Sequence, residues 1–350
     1  MSRILSGIRA SGQLHIGHYL GAIKQWIELQ DEHEVLYMVA DLHGITTPYD
    51  PKELPGMVRE TVIDYLAAGL DPKKATIFVQ SFVPAHSQLM WLLNTITPLG
   101  ELQRMVQFKE WTEKYSHVLT AGILNYPILQ AADILLYKPA LVPVGEDQIQ
   151  HVELTTDLVK KFNRLYGQTF PEVKPLIVSG TKRIMALDDP ERKMSKSENN
   201  GIGLNDGPDV ILKKVQKAVT SSEPKVIRDA MHAAKASEAG RGEDWRGDAN
   251  LVKQFHGVRN LFTLLFALAD KADREKWQGA AEDGTLQFSQ FKPALATIIA
   301  DHFAPYREKR QQLEKDSDYV DGVLEAGNKK ASALADATLL EVQAKMGLRP

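Results

Sequence analysis

No cysteine occurs among the 350 residues, which excludes disulfides, thiolate nucleophiles, zinc ribbons and iron–sulfur clusters. Any metal would therefore bind through oxygen or histidine. Nor does any apolar run approach the length of a membrane span. The start, Met1-Ser2-Arg3-Ile4-Leu5-Ser6-Gly7, enters a strand-like run with no basic-then-hydrophobic leader, so the expectation is a cytoplasmic protein without a membrane partner. Charge of one sign is lacking too. Forty-two Lys and Arg against 45 Asp and Glu leave a net charge of −3, so an RNA backbone would have to be met by local basic faces. Internal repeats and long low-complexity tracts are absent. What remains, 43% hydrophobic and 25% charged, suffices for one large core and a smaller one.

Strand-like runs at Arg3 to Gly7, Val35 to Ala40, Thr76 to Gln80 and Leu141 to Val144 alternate with amphipathic stretches, which predicts an α/β fold with a Rossmann-like, doubly wound parallel sheet. Ile16, Tyr19, Leu20, Ile23 and Ile27 recur at helical spacing, so the first strand turns into its helix at His15 to Gly17. Ligands bind at that place in such sheets. Asp50-Pro51, Asp71-Pro72 and Pro98-Leu99-Gly100 read as turns. Residues 84–133 read as a mainly helical insertion suited to dimer contact. Strand signals fade after Asn200-Gly201, which divides the chain into a catalytic unit at 1–205 and an all-helical unit at 206–350. Ala236 to Asp248 reads as a surface loop.

Two short motifs carry chemistry. His15-Ile16-Gly17-His18 at a helix start offers backbone N–H groups, the positive dipole end and two imidazoles to a phosphate, and Gly17 allows close approach. Four residues are weak evidence alone. Lys193-Met194-Ser195-Lys196-Ser197 offers two ammonium groups and two hydroxyls on an expected loop able to close over a triphosphate.

Together these motifs resemble the two signatures of class I aminoacyl-tRNA synthetases. The chain is similar to the bacterial tryptophanyl-tRNA synthetases over nearly its whole length, through Ser6-Gly7-Ile8, Ser11-Gly12, Gly100-Glu101-Leu102-Gln103-Arg104-Met105, Tyr126-Pro127, Ala131-Ala132-Asp133-Ile134-Leu135-Leu136-Tyr137 and Val142-Pro143-Val144-Gly145-Glu146-Asp147-Gln148. The resemblance implies ATP and L-tryptophan as substrates, Mg2+ on the phosphates, tRNA(Trp) as acceptor, and a homodimer whose helical unit reads the anticodon. It assigns catalysis to His15, His18, Lys193 and Lys196. ATP contacts fall on Arg9, Ala10, Ser11, Gly17, His18, Gly145, Glu146, Asp147, Ile184 and the whole Lys193, Met194, Ser195, Lys196, Ser197 loop. No residue is assigned as a dedicated metal ligand.

The tryptophan contacts so implied are Leu5, Gly7, His43, Tyr126, Gln130, Asp133, Val142, Val144 and Gln148. Leu5, Val142 and Val144 form apolar walls, Tyr126 and Gln148 hold the substrate ammonium, and Asp133 accepts the single indole N–H, since a carboxylate is acceptor-only. Burial of Asp133 would need compensation. Two departures stand out: Arg9 replaces a glutamine common in the family, and Gln130 stands where many tryptophan enzymes have methionine. Tyr126, Gln130 and Asp133 echo a spacing of the tyrosine enzymes, so tyrosine remains the alternative substrate. Lys213, Lys214 and Lys217, and Arg307, Lys309 and Arg310, are candidate tRNA faces, although helices commonly carry such charges for solvation alone.

Overall fold

A computed structural model describes residues 2–10, 12–114, 119–139, 141–145, 148–177, 184–192, 194, 201–236 and 248–349. Five parallel strands, β1 (Arg3–Ile8), β2 (Glu34–Val39), β3 (Ala75–Val79), β4 (Leu141–Val144) and β5 (Lys174–Ile177), lie in the order β3-β2-β1-β4-β5. The chain steps outward from β1 to β3 and then restarts on the other side at β4. The crevice of such a sheet opens at that reversal, between the C-terminal ends of β1 and β4.

Alternation along the strands explains why both faces are covered. Ile4, Val35, Tyr37, Val39, Ala75, Ile77 and Val79 enter one core cluster, whereas Leu5, Leu36, Met38, Phe78 and Val142 enter the other. Successive side chains leave a strand on opposite faces, so two apolar sets demand two helical layers.

The first layer begins with α1 (Ile16–His18), which passes through a π-helical turn at Tyr19–Ile23 into α2 (Lys24–Leu29). After the short α3 (Asp41–Gly44), α4 (Leu54–Ala68) packs on the same face and ends at Gly69. The opposite face takes α5 (Ala85–Asn94), α6 (Leu99–Gln103), α7 (Val106–Lys114), α8 (Ala121–Tyr137) and α9 (Ile149–Tyr166). Pro98-Leu99-Gly100, expected as a turn, instead starts α6 with Pro98 as its N-cap. Proline is tolerated there because the first N–H groups of a helix have no internal partner.

Beyond residue 201 every regular element among the described residues is helical: α10 (Pro208–Gln216), α11 (Pro224–Ala236), α12 (Ala249–Leu268), α13 (Lys271–Glu282), α14 (Phe288–His302), α15 (Ala304–Lys315) and α16 (Ser317–Lys345). The last of these returns to the sheet. Its Gly327 lies against the carbonyl of Ile77, leaving no room for a Cβ, and Asn328 Oδ1 accepts the Val79 N–H at 2.9 Å. The exposed edge of β3 is thereby covered, which removes a template for pairing with another chain. Most of the loop expected between Ala236 and Asp248 lies outside the described residues.

Candidate active site

The His15 turn caps itself. His15 Nδ1 accepts the Gly17 N–H at 3.1 Å, His18 Nδ1 accepts the His15 N–H at 3.3 Å, and the two rings meet tilted by 38° with centroids 3.7 Å apart. A nitrogen that accepts carries no proton, so each neutral imidazole holds its proton on Nε2 and presents a donor. Gly17 is needed because a Cβ would lie 2.9 Å from the His15 ring. One expectation is corrected here. Ile16 N donates to Ile202 O and His18 N to His15 O, both at 2.9 Å, so the first-turn N–H groups expected to meet a phosphate are largely engaged within the chain.

The same turn is laced to the chain that follows the lysine loop. Leu204 N donates to Leu14 O at 2.9 Å, and His15 bridges Gly203 in antiparallel fashion. Asp206 then fixes this segment, accepting from Gly203 N at 2.8 Å and from Lys214 Nζ at 2.9 Å. Met194 is buried in the core, with its Sδ beside Gly201. Ile184 is buried in the same cluster, and Asn260 of α12 holds neighbouring Met185 through both its N–H and its carbonyl. Lys193, Ser195, Lys196 and Ser197 lie outside the described residues, as do Ser11, Glu146 and Asp147.

Across the sheet, Asp133 of α8 is buried and fully engaged. His43 Nε2 donates to Oδ2 at 2.8 Å, His86 Nδ1 to Oδ1 at 2.6 Å, and Gln80 Nε2 reaches both oxygens at 2.8 and 2.9 Å. Burial pushes the carboxyl pKa up, but hydrogen bonds from His43 and His86, with their charge, outweigh it and bring it down to about 2. Asp133 is therefore an anion at neutral pH. His86 Nε2 also hydrogen-bonds the Tyr137 hydroxyl at 2.8 Å, which fixes the histidine's orientation.

Leu5 and Val142 are buried on this same face, Val144 is partly buried, and the backbones of Gly7 and Gly145 are open at the strand ends. Along α8, Tyr126 donates to Gln107 Oε1 at 2.5 Å and receives His151 Nε2 at 3.0 Å, while Gln130 Nε2 donates to Gln148 Oε1 at 3.3 Å. Burial raises the Tyr126 pKa to about 12 against the opposing charge of Arg9. The phenol stays protonated. Asp133, Gln130 and Tyr126 share a helix face because they are spaced three and four residues apart.

Gln80, His86, Gln107 and His151 join the site although the sequence reading did not select them. Gln80 stands at the C-terminal end of a strand, and that position was the available signal. His86, Gln107 and His151 sit within helices and give no local sign of their partners. Two expected tRNA contacts are withdrawn. Arg310 is only 2% exposed and paired with Glu60, Asp64 and Glu314, and Lys214 is committed to Asp206 and Gly201 O. Lys213, Lys217 and Lys309 remain exposed. Among the described residues no three His, Asp or Glu side chains gather as metal ligands, and no helix is long and apolar enough to cross a membrane.

The family described as tRNA synthetases class I (W and Y) matches residues 1–239. A tryptophan–tRNA ligase of Caldanaerobacter subterraneus is 42% identical over 351 residues, covering 99% of both chains. Among solved structures, tryptophanyl-tRNA synthetase from Mycoplasma pneumoniae superposes with a TM-score of 0.82 at 35% identity, covering 100% of this chain and 98% of that one. The Campylobacter jejuni tryptophanyl-tRNA synthetase complexed with ADP and tryptophan gives 0.81 at 29% identity, covering 99% of each.

Proposed function

The chain belongs to the class I tRNA synthetases, among the tryptophan–tRNA ligases, and on that footing we propose how its crevice divides the work of joining tryptophan to tRNA(Trp). The nucleotide lies toward the His15 turn, and the indole lies toward α8. His15 and His18 donate through Nε2 to phosphate oxygens, and Lys193 and Lys196 neutralise the β- and γ-phosphates. The tryptophan carboxylate, already ionised, attacks the α-phosphorus. The bond to the bridging oxygen breaks, leaving tryptophanyl-adenylate and pyrophosphate, and the aminoacyl group then passes to the terminal ribose of tRNA. Since no protein base is required, the residues act by alignment and charge neutralisation. Mg2+ is assigned to the phosphate oxygens rather than to a cage of side chains.

The observation that carries the substrate assignment is the buried, ionised Asp133 on α8, whose neighbouring residues share a core cluster with Leu5 and Val142. Its acceptor positions are already occupied, so an incoming indole N–H displaces one donor. His43 is the one to yield, because it lies on the short α3 whereas Gln80 and His86 are wholly enclosed. Tyr126 and Gln148 are assigned to the substrate ammonium, and Arg9, Ala10, Gly17 and Gly145 to the nucleotide.

Phe82, Trp91, Leu99 and Val106 expose more than half of their surface on one stretch of chain from the end of β3 to α7, the support for a homodimer through this face. The helices after residue 206 are assigned to the anticodon, and the cytoplasm is the proposed location.

Pyrophosphate exchange tests the site. Tryptophan should exceed tyrosine in kcat/KM by on the order of 10^4, because the wrong side chain leaves buried polar groups mismatched. The benzothienyl analogue, which lacks the indole N–H, should be activated about 100-fold less well. Equal activation of that analogue would remove Asp133 from the role.

A further inference from the structure

Asp64 of α4 lies far along the chain from both signatures and is completely buried. Its Oδ2 accepts the Leu14 N–H at 3.0 Å, immediately before His15. Its Oδ1 accepts the Tyr306 hydroxyl at 2.5 Å and pairs with Arg310, both from α15. Arg310 also pairs with Glu60 and Glu314. One carboxylate thus grips the nucleotide turn with one oxygen and the helical layer with the other. A second contact runs in parallel: Tyr19, one residue beyond His18, meets Phe303 and His302 edge-on at 5.0 and 5.7 Å, at the corner between α14 and α15.

A buried carboxylate–guanidinium pair is a poor way to add stability, since apolar residues of equal volume commonly do as well or better. Fixing the relative placement of two elements is the better-attested use. Leu14 is held at its carbonyl as well, by Leu204 N, so its position is determined from both sides. We propose that Asp64 is a positioning residue for the ATP site, and that Tyr306 and Arg310 transmit the placement of the α14–α15 corner to His15 and His18 through it. This rests on the reading of the His15 turn as the phosphate site.

Tyr306→Phe removes one donor to Asp64 and little volume. Pyrophosphate exchange by this variant should show the ATP KM raised, or kcat lowered, by about tenfold, with tryptophan affinity in equilibrium binding changed less than about twofold. Arg59→Met is the control for simple loosening of the junction, because Arg59 joins α4 to Ser317 and Asp321 nearby without touching Asp64. It should leave both quantities unchanged. A double-mutant cycle with His18→Gln supplies the decisive readout. Losses that fail to multiply place Tyr306 and His18 on one path. Losses that multiply, an equal fall in tryptophan and ATP binding, or an ATP response of Tyr306→Phe matched by Arg59→Met would overturn the proposal. If His18→Gln alone leaves the ATP parameters untouched, the phosphate reading of the turn fails first, and that result is separable from the others.

Discussion

Asp133 shows how much one residue can owe to neighbours distant in the chain. Its carboxyl is fully enclosed, yet His43 and His86 hold it ionised with a pKa of about 2, below the ordinary 3.8, and Gln80 bonds both its oxygens. A depressed pKa contributes stability that is complete above the unfolded value and lost as pH falls through the folded one, here between about pH 4 and pH 2. The shift corresponds to about 2 kcal/mol. Asp133→Asn should therefore destabilise the protein to urea by a constant amount from pH 7 to about pH 4, and the difference from wild type should shrink only below that. A difference that shrinks near pH 6 would instead place the linkage on a histidine. Asp133 and its need for compensation were legible, because the family resemblance of the surrounding sequence assigned it to the indole N–H. Of the compensating groups, His43 was named for the pocket, but Gln80 and His86 were not legible. Gln80 and His86 come from β3's end and from α5, and nothing in the local pattern of either segment records a partner about fifty residues away. Arg310 misled for the opposite reason, since a basic residue on a charged helix reads as solvated until its acidic partners on α4 are brought beside it.

At the scale of elements, short strand-like apolar runs located β1 to β4 to within a residue or so, because strands that send side chains into two separate cores are apolar on both faces. β5 escaped notice. Lys174-Pro175-Leu176-Ile177 is short, and it contains a proline that only an edge strand or a strand end tolerates; β5 is an edge strand. The π-helical turn at Tyr19–Ile23 was likewise invisible, since apolar spacing cannot distinguish one wide turn within a helix. α16 lies within the stretch read as all-helical, whereas its return to the sheet was not legible. That return depends on Gly327 meeting the Ile77 carbonyl. Gly327→Ala should raise helix propensity locally and still destabilise the protein, by about 3 kcal/mol, because the new methyl group must separate α16 from β3. Urea unfolding of this variant beside Gly322→Ala, where a Cβ meets no other group within 4 Å, separates the two effects. Gly322→Ala should be neutral or slightly stabilising. If the two variants behave alike, backbone contact is not what holds α16 in place.

Over the whole molecule, the proposed dimer face and the amino-acid pocket are two sides of one layer. Trp91, Leu99 and Val106 face outward with 69%, 58% and 54% of their surface exposed. Directly behind them, α7 is tied inward twice: Val106 N donates to Gln150 Oε1 at 2.9 Å, and Gln107 accepts the Tyr126 hydroxyl at 2.5 Å. Pressing a second copy against this face would therefore steady Gln107 and, through it, the tyrosine assigned to the substrate ammonium. The His15 turn is braced from the other side of the sheet by Asp64 and by residues 202–204. Dimerisation should consequently support tryptophan binding more than ATP binding. Trp91→Glu combined with Leu99→Glu, which places charge where an apolar interface would close, should shift the protein to monomers in sedimentation equilibrium. The monomer should show a tryptophan KM raised by about tenfold, as expected when a group orienting the substrate is left loose, and an ATP KM changed by less than about twofold. A variant that remains dimeric would move the interface elsewhere on the molecule, and a monomer with unaltered tryptophan KM would disconnect α7 from the pocket.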